Sequence, residues 1–499
     1  MRKSTDRGFV AVVRGGVRSC TVAIMPELTP TSSALELAAA LRRRELSAVE
    51  LLDACLAAVD ERNPILNAVT WRNDAEARAA AAAADRRLDE RAEDAPPFLG
   101  VPIPIKDLTP VAGWPVTFGS RGAPEGPSEE SELVVGKLVD AGFVLCGRTN
   151  TPEFGVITAA ENLRFGPSRN PWDTERTPGG SSGGAAAAVA GGMFPVAHAN
   201  DGGGSIRIPA SYCGLVGFKP SRGRVPRLAQ SWLGAVVEGV VCRTVAESAV
   251  VLDAISGPDP LAWYNAPVPE RPFASEAESA SPGALRIGLM AQAPLGIPTD
   301  PECVAAARAA AALLEGLGHS VEEVEVPTIS EEMVPPFIAL TQGGLADYEG
   351  VDWAATEPHI IHQRGLAGET GAYDYVLAAK TLELLSRREV ARWGRDFDVL
   401  LSPTSAILPP KAGATMEAQH ATPDQPVLDV VASVSFTAFG NVTGLPGVSL
   451  PVHWTGEDVP VGVQLLAGPW QDGRLLALAA QLEAASPWAA RRPALLAAA

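Results

Sequence analysis

Three apolar runs without polar alternation constrain the fold of this 499-residue chain more than any other feature. The runs LRIGLM, DVLLSP and VGVQLLAG are typical of strands that are buried on both faces of a sheet. Helix-forming segments separate them, including AARAAAALLEGLG, which ends at Gly318, and a final helix from about Arg474 to Ala485. This alternation predicts an α/β fold in which a mixed β-sheet core is sandwiched between helices.

The sequence between residues 32 and 106 predicts helices followed by a buried strand. Residues 32–62 have apolar side chains at helical spacing in two segments, and Ser47 with Glu50 forms a capping box at the start of the second. Residues 74–93 predict a long alanine-rich helix that ends before two prolines. The apolar run VPIPI then predicts a strand that leads to Lys106.

Two serines lie in glycine clusters 24 positions apart. Ser181 lies in RTPGGSSGGAAAAVAGG, and Ser205 lies in NDGGGSIRIPA. A serine hydroxyl needs a neighbouring base to act as a nucleophile, and acyl transfer also needs N–H donors for the developing oxyanion. The glycines Gly202, Gly203 and Gly204 let a substrate approach their N–H groups because they have no side chains. The pattern predicts a serine hydrolase.

The predicted base is a lysine. Lys106 ends the apolar run GVPIPIK and is one of only six lysines in the chain. Burial lowers the pKa of a lysine, by about 3–5 units at fully buried positions, so that the neutral amine can accept a proton. A buried lysine is more commonly an ion-paired structural residue, and Asp107 is adjacent. The two serine clusters favour the catalytic interpretation.

Clusters of glycine and serine also occur in flexible linkers, in the nucleophile elbow of other hydrolases and in phosphate-binding loops. The run GGSSGG alone is typical of a flexible linker, but the AAAAVA that follows it forms helices. GGSSG also fits the nucleophile elbow of α/β-hydrolase esterases, which follows a buried strand, whereas the preceding DTERTP is polar. Neither a P-loop nor a Rossmann glycine motif is present in the sequence.

The segment from about Gly100 to Pro220 resembles the amidase signature family. Its motifs IKD, GRTNTPEF, NPW, TPGGSSGG, GGGSIRIPA and GFKPSRGRV follow the family's order and spacing. The resemblance implies that Ser205 forms the acyl-enzyme, that Ser181, on a cis peptide bond, relays the proton, and that Lys106 is the base. The oxyanion donors that it implies are the N–H groups of Gly202, Gly203, Gly204 and Ser205. The polar residues expected to hold the loops in shape are Ser182, Asp201 and Arg207.

One motif departs from the family. The family usually has GTDTGGS before its nucleophile, whereas this chain has ANDGGGS from Ala199. We expect this departure to change the oxyanion loop and to leave the triad unchanged. The remainder of the chain, to PWAARRPAL, is similar to the 6-aminohexanoate cyclic-dimer hydrolase branch of the family, whose members open cyclic nylon oligomers.

The resemblance implies a single amidase domain over residues 25–499. Residues 1–24 lack periodicity and are predicted to be an N-terminal extension, and both Met1 and Met25 remain open as translation starts. The predicted parts are a helical part (30–95), the signature core (96–256), a surface connection (257–283) and a variable cleft-lining region (329–395). The run VSFTAFGNVTG is expected to close the other cleft wall. Its pocket candidates are Phe436, Phe439 and Asn441, with ordinary core aromatics as the alternative.

Composition argues against several partners. A net charge of −18 disfavours nucleic acid and anionic membranes, and no stretch of about 20 apolar residues predicts a membrane span. The six scattered cysteines fit free thiols in a reducing cytoplasm. His359 and His362 share a predicted helix face, but two ligands do not complete a zinc site. We therefore expect a cytoplasmic enzyme without metal or cofactor, and a homodimer remains open.

The predicted function is hydrolysis of uncharged amide bonds through the Ser–Ser–Lys triad. Cyclic or linear aminohexanoate oligomers are the substrates that the branch implies. An aryl-amide or urethane hydrolase with the same triad is the first alternative. The others are an amidotransferase subunit, which passes ammonia to a tRNA-bound amino acid, and an esterase of the α/β-hydrolase class, which would need a histidine base.

Overall fold

The computed structural model describes residues 28–326 and 328–496, so the predicted extension at residues 1–24 lies outside the described residues. Its strands form a large mixed sheet of eight members and a small sheet of three. The strands are β1 (Val69–Trp71), β2 (Pro102–Lys106), β3 (Val144–Thr149), β4 (Ala197–Asp201), β5 (Val216–Lys219), β6 (Val237–Cys242), β7 (Arg286–Leu289), β8 (Ser320–Glu323), β9 (Val399–Pro403), β10 (Gly447–Trp454) and β11 (Pro460–Ala467).

The large sheet has the strand order β4-β6-β5-β10-β11-β9-β7-β8. Pairing is antiparallel from β4 to β9, whereas β7 pairs in parallel with both β9 and β8. The small sheet has the order β1-β3-β2. Strands β9 and β11 are buried along their whole length, as their predominantly apolar sequences predict.

Helices pack around these sheets. They are α1 (Ala34–Arg42), α2 (Ala48–Leu66), α3 (Asp74–Arg91), α4 (Leu133–Asp140), α5 (Gly183–Ala190), α6 (Arg207–Cys213), α7 (Val245–Ile255), α8 (Phe273–Ser279), α9 (Pro301–Gly316), α10 (Val334–Gly343), α11 (Pro358–Glu369), α12 (Ala372–Val390), α13 (Ala414–Ala421), α14 (Leu428–Val434), α15 (Ala438–Thr443) and α16 (Asp472–Ala485). Helices α6, α7, α9 and α16 pack against the large sheet. The predicted α/β fold with a mixed, helix-flanked sheet is confirmed.

Local signals in the sequence account for several of these elements. Ser47 and Glu50 form the predicted capping box at the start of α2. The run AAAAVA forms α5, which is buried on all sides, so GGSSGG is a helix entrance and not a linker. The predicted surface connection over residues 257–283 contains the short helix α8. Phe273 at the start of that helix is 1% exposed and packs into the core.

Among the described residues, no helix combines the length and apolar character that a membrane-spanning segment requires. The five cysteines within those residues are buried free thiols, namely Cys55, Cys146, Cys213, Cys242 and Cys303.

Candidate active site

The small sheet places Lys106 beside the end of β4. Lys106 is the last residue of β2 and is fully buried. Its backbone N–H donates to Nδ1 of His198 on β4, 3.4 Å away. The Nζ atom lies 2.7 Å from Ser181 Oγ and 2.7 Å from Asn200 Oδ1, at the end of the same strand. The structure therefore brings the Lys106 amine to the first serine cluster.

Burial controls the charge of this lysine. It lowers the pKa of Lys106 to about 7, although the carboxylates of Glu238 and Asp201 oppose the decrease. Arg227 acts in the same direction as burial and forms an ion pair with Glu238. Glu238 in turn contacts His198 Nε2 at 3.0 Å. A substantial fraction of the lysine is thus neutral at pH 7 and able to accept a proton.

Ser181 lies in the turn before α5. The peptide bond between Gly180 and Ser181 is cis, and the serine is 2% exposed. The following residue joins the two serine clusters: Ser182 Oγ donates to the carbonyl of Asn200 at 3.1 Å, and its N–H donates to the carbonyl of Ser205 at 3.3 Å. Ser205 itself is partly exposed at the start of the turn into α6.

A buried carboxylate shapes the loop that carries Ser205. Asp201 Oδ1 accepts from the N–H of Gly204 at 2.7 Å, and Oδ2 accepts from the N–H of Ile206 at 3.1 Å. Arg207 donates to both carboxylate oxygens, at 2.9 and 3.0 Å. Burial alone would raise the pKa of Asp201, but the Arg207 guanidinium holds that pKa well below its usual range. The carboxylate is therefore ionised at neutral pH.

Arg207 connects this loop to the C-terminal part of the chain. Its Nη1 donates to Gln464 Oε1 on β11 at 2.6 Å and to the carbonyl of Thr437 at 2.9 Å. The Thr437 hydroxyl donates to the carbonyl of Gly203 at 2.7 Å. Of the predicted supporting residues, Ser182 bonds the Ser181 turn to the Ser205 loop, whereas Asp201 and Arg207 hold the Ser205 loop.

The implied oxyanion donors are not equivalent in this structure. The N–H of Gly204 is donated to Asp201 and is not directed at a substrate, which corrects the sequence-based set. The N–H groups of Gly202, Gly203 and Ser205 donate to no acceptor among residues 28–326 and 328–496. A Cβ on Gly203 would meet nothing within 4 Å, so this part of the loop faces open space. These three N–H groups remain as candidate donors.

The altered motif ANDGGGS has two structural consequences. Asn200, where the family has threonine, contacts Lys106 directly, so the expectation that the departure leaves the triad unchanged is wrong. Gly202 replaces a second threonine of the family motif. A Cβ there would lie 3.0 and 3.1 Å from ring carbons of Trp232 and 3.1 Å from Val236. The glycine makes room for the Trp232 ring over the loop.

The predicted pocket residues are scaffold residues. Phe436 and Phe439 are 0% and 1% exposed and pack in the core, where Phe439 stacks on Trp393. Asn441 donates to the backbone carbonyls of Asp201 and Ala235 and to the Asp201 carboxylate. The alternative of ordinary core aromatics therefore describes Phe436 and Phe439, and Asn441 supports the nucleophile loop.

Sequence reasoning missed Asn200, Trp232 and Thr437. Asn200 had a signal, because it is one of the residues at which the motif departs from the family. Trp232 lacked one: it lies in an irregular segment and is brought over Gly202 by tertiary packing. Thr437 lies in the run that was expected to close the cleft, and it holds the loop through Gly203.

Comparisons with known proteins identify the family of the chain. The sequence profile of the Amidase family matches residues 50–476. The chain is 36% identical over 487 residues to the 6-aminohexanoate-cyclic-dimer hydrolase of Pseudomonas sp. (strain NK87). The aligned region covers 91% of this chain and 95% of that relative. These matches define the class as hydrolases of amide bonds. The chain belongs to the amidase signature family, as its motifs predict.

Two solved structures extend the comparison. A structure of 6-aminohexanoate cyclic dimer hydrolase superposes with a TM-score of 0.87 at 33% identity, covering 94% of this chain and 100% of the other. A bacterial aryl acylamidase of the amidase signature family superposes with a TM-score of 0.82 at 28% identity, covering 92% and 96% of the two chains.

The contact between Gly202 and Trp232 gives a testable coupling. Gly202→Thr should lower kcat/KM by about 10-fold to 100-fold, because overpacking of about 1–3 kcal/mol displaces the loop or the ring. Adding Trp232→Ala should recover part of that loss, so the two changes should be non-additive in a double-mutant cycle. Gly203→Ala, which adds a Cβ into open space, is the matched control and should leave the melting temperature unchanged. Strict additivity of the two changes would show that the ring and the loop are independent.

Proposed function

We propose that this amidase hydrolyses uncharged amides through Lys106, Ser181 and Ser205. The observation that carries the proposal is the 2.7 Å contact between Lys106 Nζ and Ser181 Oγ, in a buried site that lowers the pKa of the lysine to about 7. Ser182 links the Ser181 turn to the Ser205 loop. Support also comes from membership of the amidase family.

We infer a proton relay that begins at the contact between Lys106 Nζ and Ser181 Oγ. Neutral Lys106 accepts the proton of Ser181 while Ser181 accepts that of Ser205, whose Oγ attacks the carbonyl carbon. Asn200 Oδ1 can only accept, so it takes one N–H of the amine and leaves the nitrogen lone pair for Ser181. The N–H groups of Gly202, Gly203 and Ser205 stabilise the oxyanion. Protonated Lys106 then supplies a proton, through Ser181, to the leaving amine. Water afterwards hydrolyses the acyl-enzyme.

The proposed substrates are cyclic or linear aminohexanoate oligomers. The support is the similarity to 6-aminohexanoate-cyclic-dimer hydrolase over nine-tenths of the chain. The net charge of −18 disfavours anionic substrates and favours the uncharged cyclic form. The five described cysteines are free thiols, which fits the proposed location in a reducing cytoplasm.

Aryl amides form a second candidate class. The Trp232 ring lies against Gly202 beside the candidate oxyanion donors, where it can contact an aromatic substrate group. Trp232 and Leu233 both have positive φ angles, of 51° and 52°, a conformation that non-glycine residues rarely adopt and that clusters at ligand sites. The similarity to an aryl acylamidase supports the same class, and carbamates share its chemistry.

A substrate panel tests these assignments. We expect the cyclic aminohexanoate dimer to have a higher kcat/KM than the linear dimer, because the linear form carries a terminal ammonium and a terminal carboxylate whose desolvation opposes binding. Neutral anilides and carbamates should also be cleaved, since the acyl step requires a carbonyl and a leaving amine. The rates are compared at one pH with Ser205→Ala as the blank.

Two outcomes would change the assignment. A tenfold preference for the linear dimer, about 1.4 kcal/mol in transition-state binding, would require a cationic anchor and contradict the cyclic substrate. Anilide hydrolysis without any cleavage of aminohexanoate oligomers would favour the aryl-amide candidate. Activity of the isolated chain on either class argues against an amidotransferase subunit.

A further inference from the structure

One buried histidine has no hydrogen-bond partner on either ring nitrogen. His359 is 1% exposed, and neither Nδ1 nor Nε2 bonds any group among the described residues. Burying a polar group without a partner destabilises the folded state by about 1–3 kcal/mol. Such groups are rare in native proteins and usually indicate an unaccounted ligand or a functional role.

The unpartnered ring faces two other potential metal ligands. His359 Nδ1 lies 3.7 Å from Glu357 Oε2, and the same oxygen lies 2.9 Å from His420 Nε2. One ligand atom from each of the three residues lies within 4.8 Å of the other two. The sequence suggested His362 as the companion of His359, but the fold brings His420 there from α13, 61 residues further along the chain.

We propose that Glu357, His359 and His420 bind one divalent transition-metal ion, with Zn²⁺ as the preferred ion. Two imidazoles and one carboxylate are a zinc ligand set, and they also suit neighbouring metals such as Co²⁺ and Ni²⁺. Ligand atoms around a tetrahedral ion lie about 3.3 Å apart, as follows from zinc–ligand distances of about 2.0–2.2 Å. The observed separations of 2.9 and 3.7 Å bracket this value.

The surroundings fit a metal site. Glu357 is held in place because its Oε1 accepts from the N–H of Leu163 at 2.8 Å and its own N–H donates to Glu153 Oε2 at 2.7 Å. Such outer contacts orient metal ligands and raise affinity. The His420 side chain is 20% exposed, which gives an ion and a fourth, water ligand access to the cluster.

The position of the site indicates what the ion would do. Glu357 is the N-cap of α11, His359 lies in its first turn, and His420 lies in the last turn of α13. An ion would join these two helices and, through Glu357, attach them to the backbone N–H of Leu163 and the side-chain carboxylate of Glu153, ahead of the Ser181 turn. We therefore expect the metal to stabilise the packing of α11 and α13 without taking part in the acyl-transfer steps.

Metal binding to the full chain tests the proposal. After chelator treatment and dialysis, Zn²⁺ titrated by calorimetry should bind at one ion per chain and raise the melting temperature. His359→Gln and His420→Gln should each weaken that binding at least about tenfold. The matched controls are His362→Gln, on the same helix, and His453→Gln, which removes a surface histidine paired with Glu302; both should bind like the wild type.

A spectroscopic measurement on the wild-type chain tests the proposal even if the variants fail to fold. Co²⁺ bound to the wild-type chain should give the visible bands of four-coordinate cobalt, and added Zn²⁺ should remove them. The absence of one-to-one binding in the wild type, or equal binding by wild type and folded His359→Gln, would overturn the proposal. Octahedral cobalt bands that survive in His420→Gln would also overturn it. Each readout is independent of amide hydrolysis.

Discussion

Replacing Ser205 with alanine is expected to reduce kcat/KM for amide hydrolysis by about 10⁴-fold or more, the scale seen when a serine nucleophile is removed. The change deletes one hydroxyl from a partly exposed position and leaves the bonds of Asp201 to the loop in place, so folding should be unaffected. Ser182→Ala is the control, because that hydroxyl donates only to the carbonyl of Asn200. It should retain most of the activity.

Covalent labelling identifies the nucleophile independently of rates. A fluorophosphonate probe should form its adduct on Ser205, and peptide mapping after digestion locates it. Ser205→Ala should remain unlabelled. An adduct on Ser181 or Ser182, with Ser205 unmodified in the wild type, would assign the acyl-enzyme to the other cluster and contradict the proposed relay.

Lys106→Ala is expected to lower kcat/KM by about 10²–10⁴-fold, the usual contribution of a general base. Lys106→Arg should not restore activity because a guanidinium stays protonated. Burial lowers the pKa of Lys106 to about 7, and only the neutral amine accepts a proton. The wild-type kcat/KM should therefore fall as the pH is lowered through about 7 and level off above it. Full activity in Lys106→Arg would refute the base role.

A second buried lysine makes a control for this pH profile necessary. Burial also lowers the pKa of Lys219 to about 7, but its Nζ donates to the carbonyl of Pro220, 2.8 Å away. Lys219→Met should therefore keep the fall in kcat/KM below pH 7, even if the absolute rate changes. If Lys219→Met abolishes that fall, the titrating group is Lys219 and the proposed assignment to Lys106 is wrong.

Local patterns in the sequence predicted most of the secondary structure that surrounds the site. Strands β2, β9 and β11 are predominantly apolar and each has one buried polar residue, namely Lys106, Ser402 and Gln464. Ser47 caps α2 by a bond to a residue three positions away. The serine clusters and Lys106 were recognisable because each lies in a contiguous motif. All of these signals involve residues that are close in sequence.

The remaining features depend on contacts between distant segments. Arg207 bonds Gln464, 257 residues away, and no local pattern marks either as the other's partner. The aromatic residues Phe436 and Phe439 were open to two interpretations, since a core side chain and a pocket side chain have the same composition. Only the fold shows which face of α15 and its preceding turn is buried.

The strand order of the large sheet has a consequence for biosynthesis. Strands β4, β6 and β5 form one edge and strands β9, β7 and β8 form the other, while β10 and β11, which lie between them, come last in the chain. Ribosomes therefore release the nucleophile long before the hairpin that unites the two edges. Such non-local pairing is slow and leaves apolar strands uncovered. We expect nascent chains to be inactive and dependent on chaperones until synthesis is nearly complete.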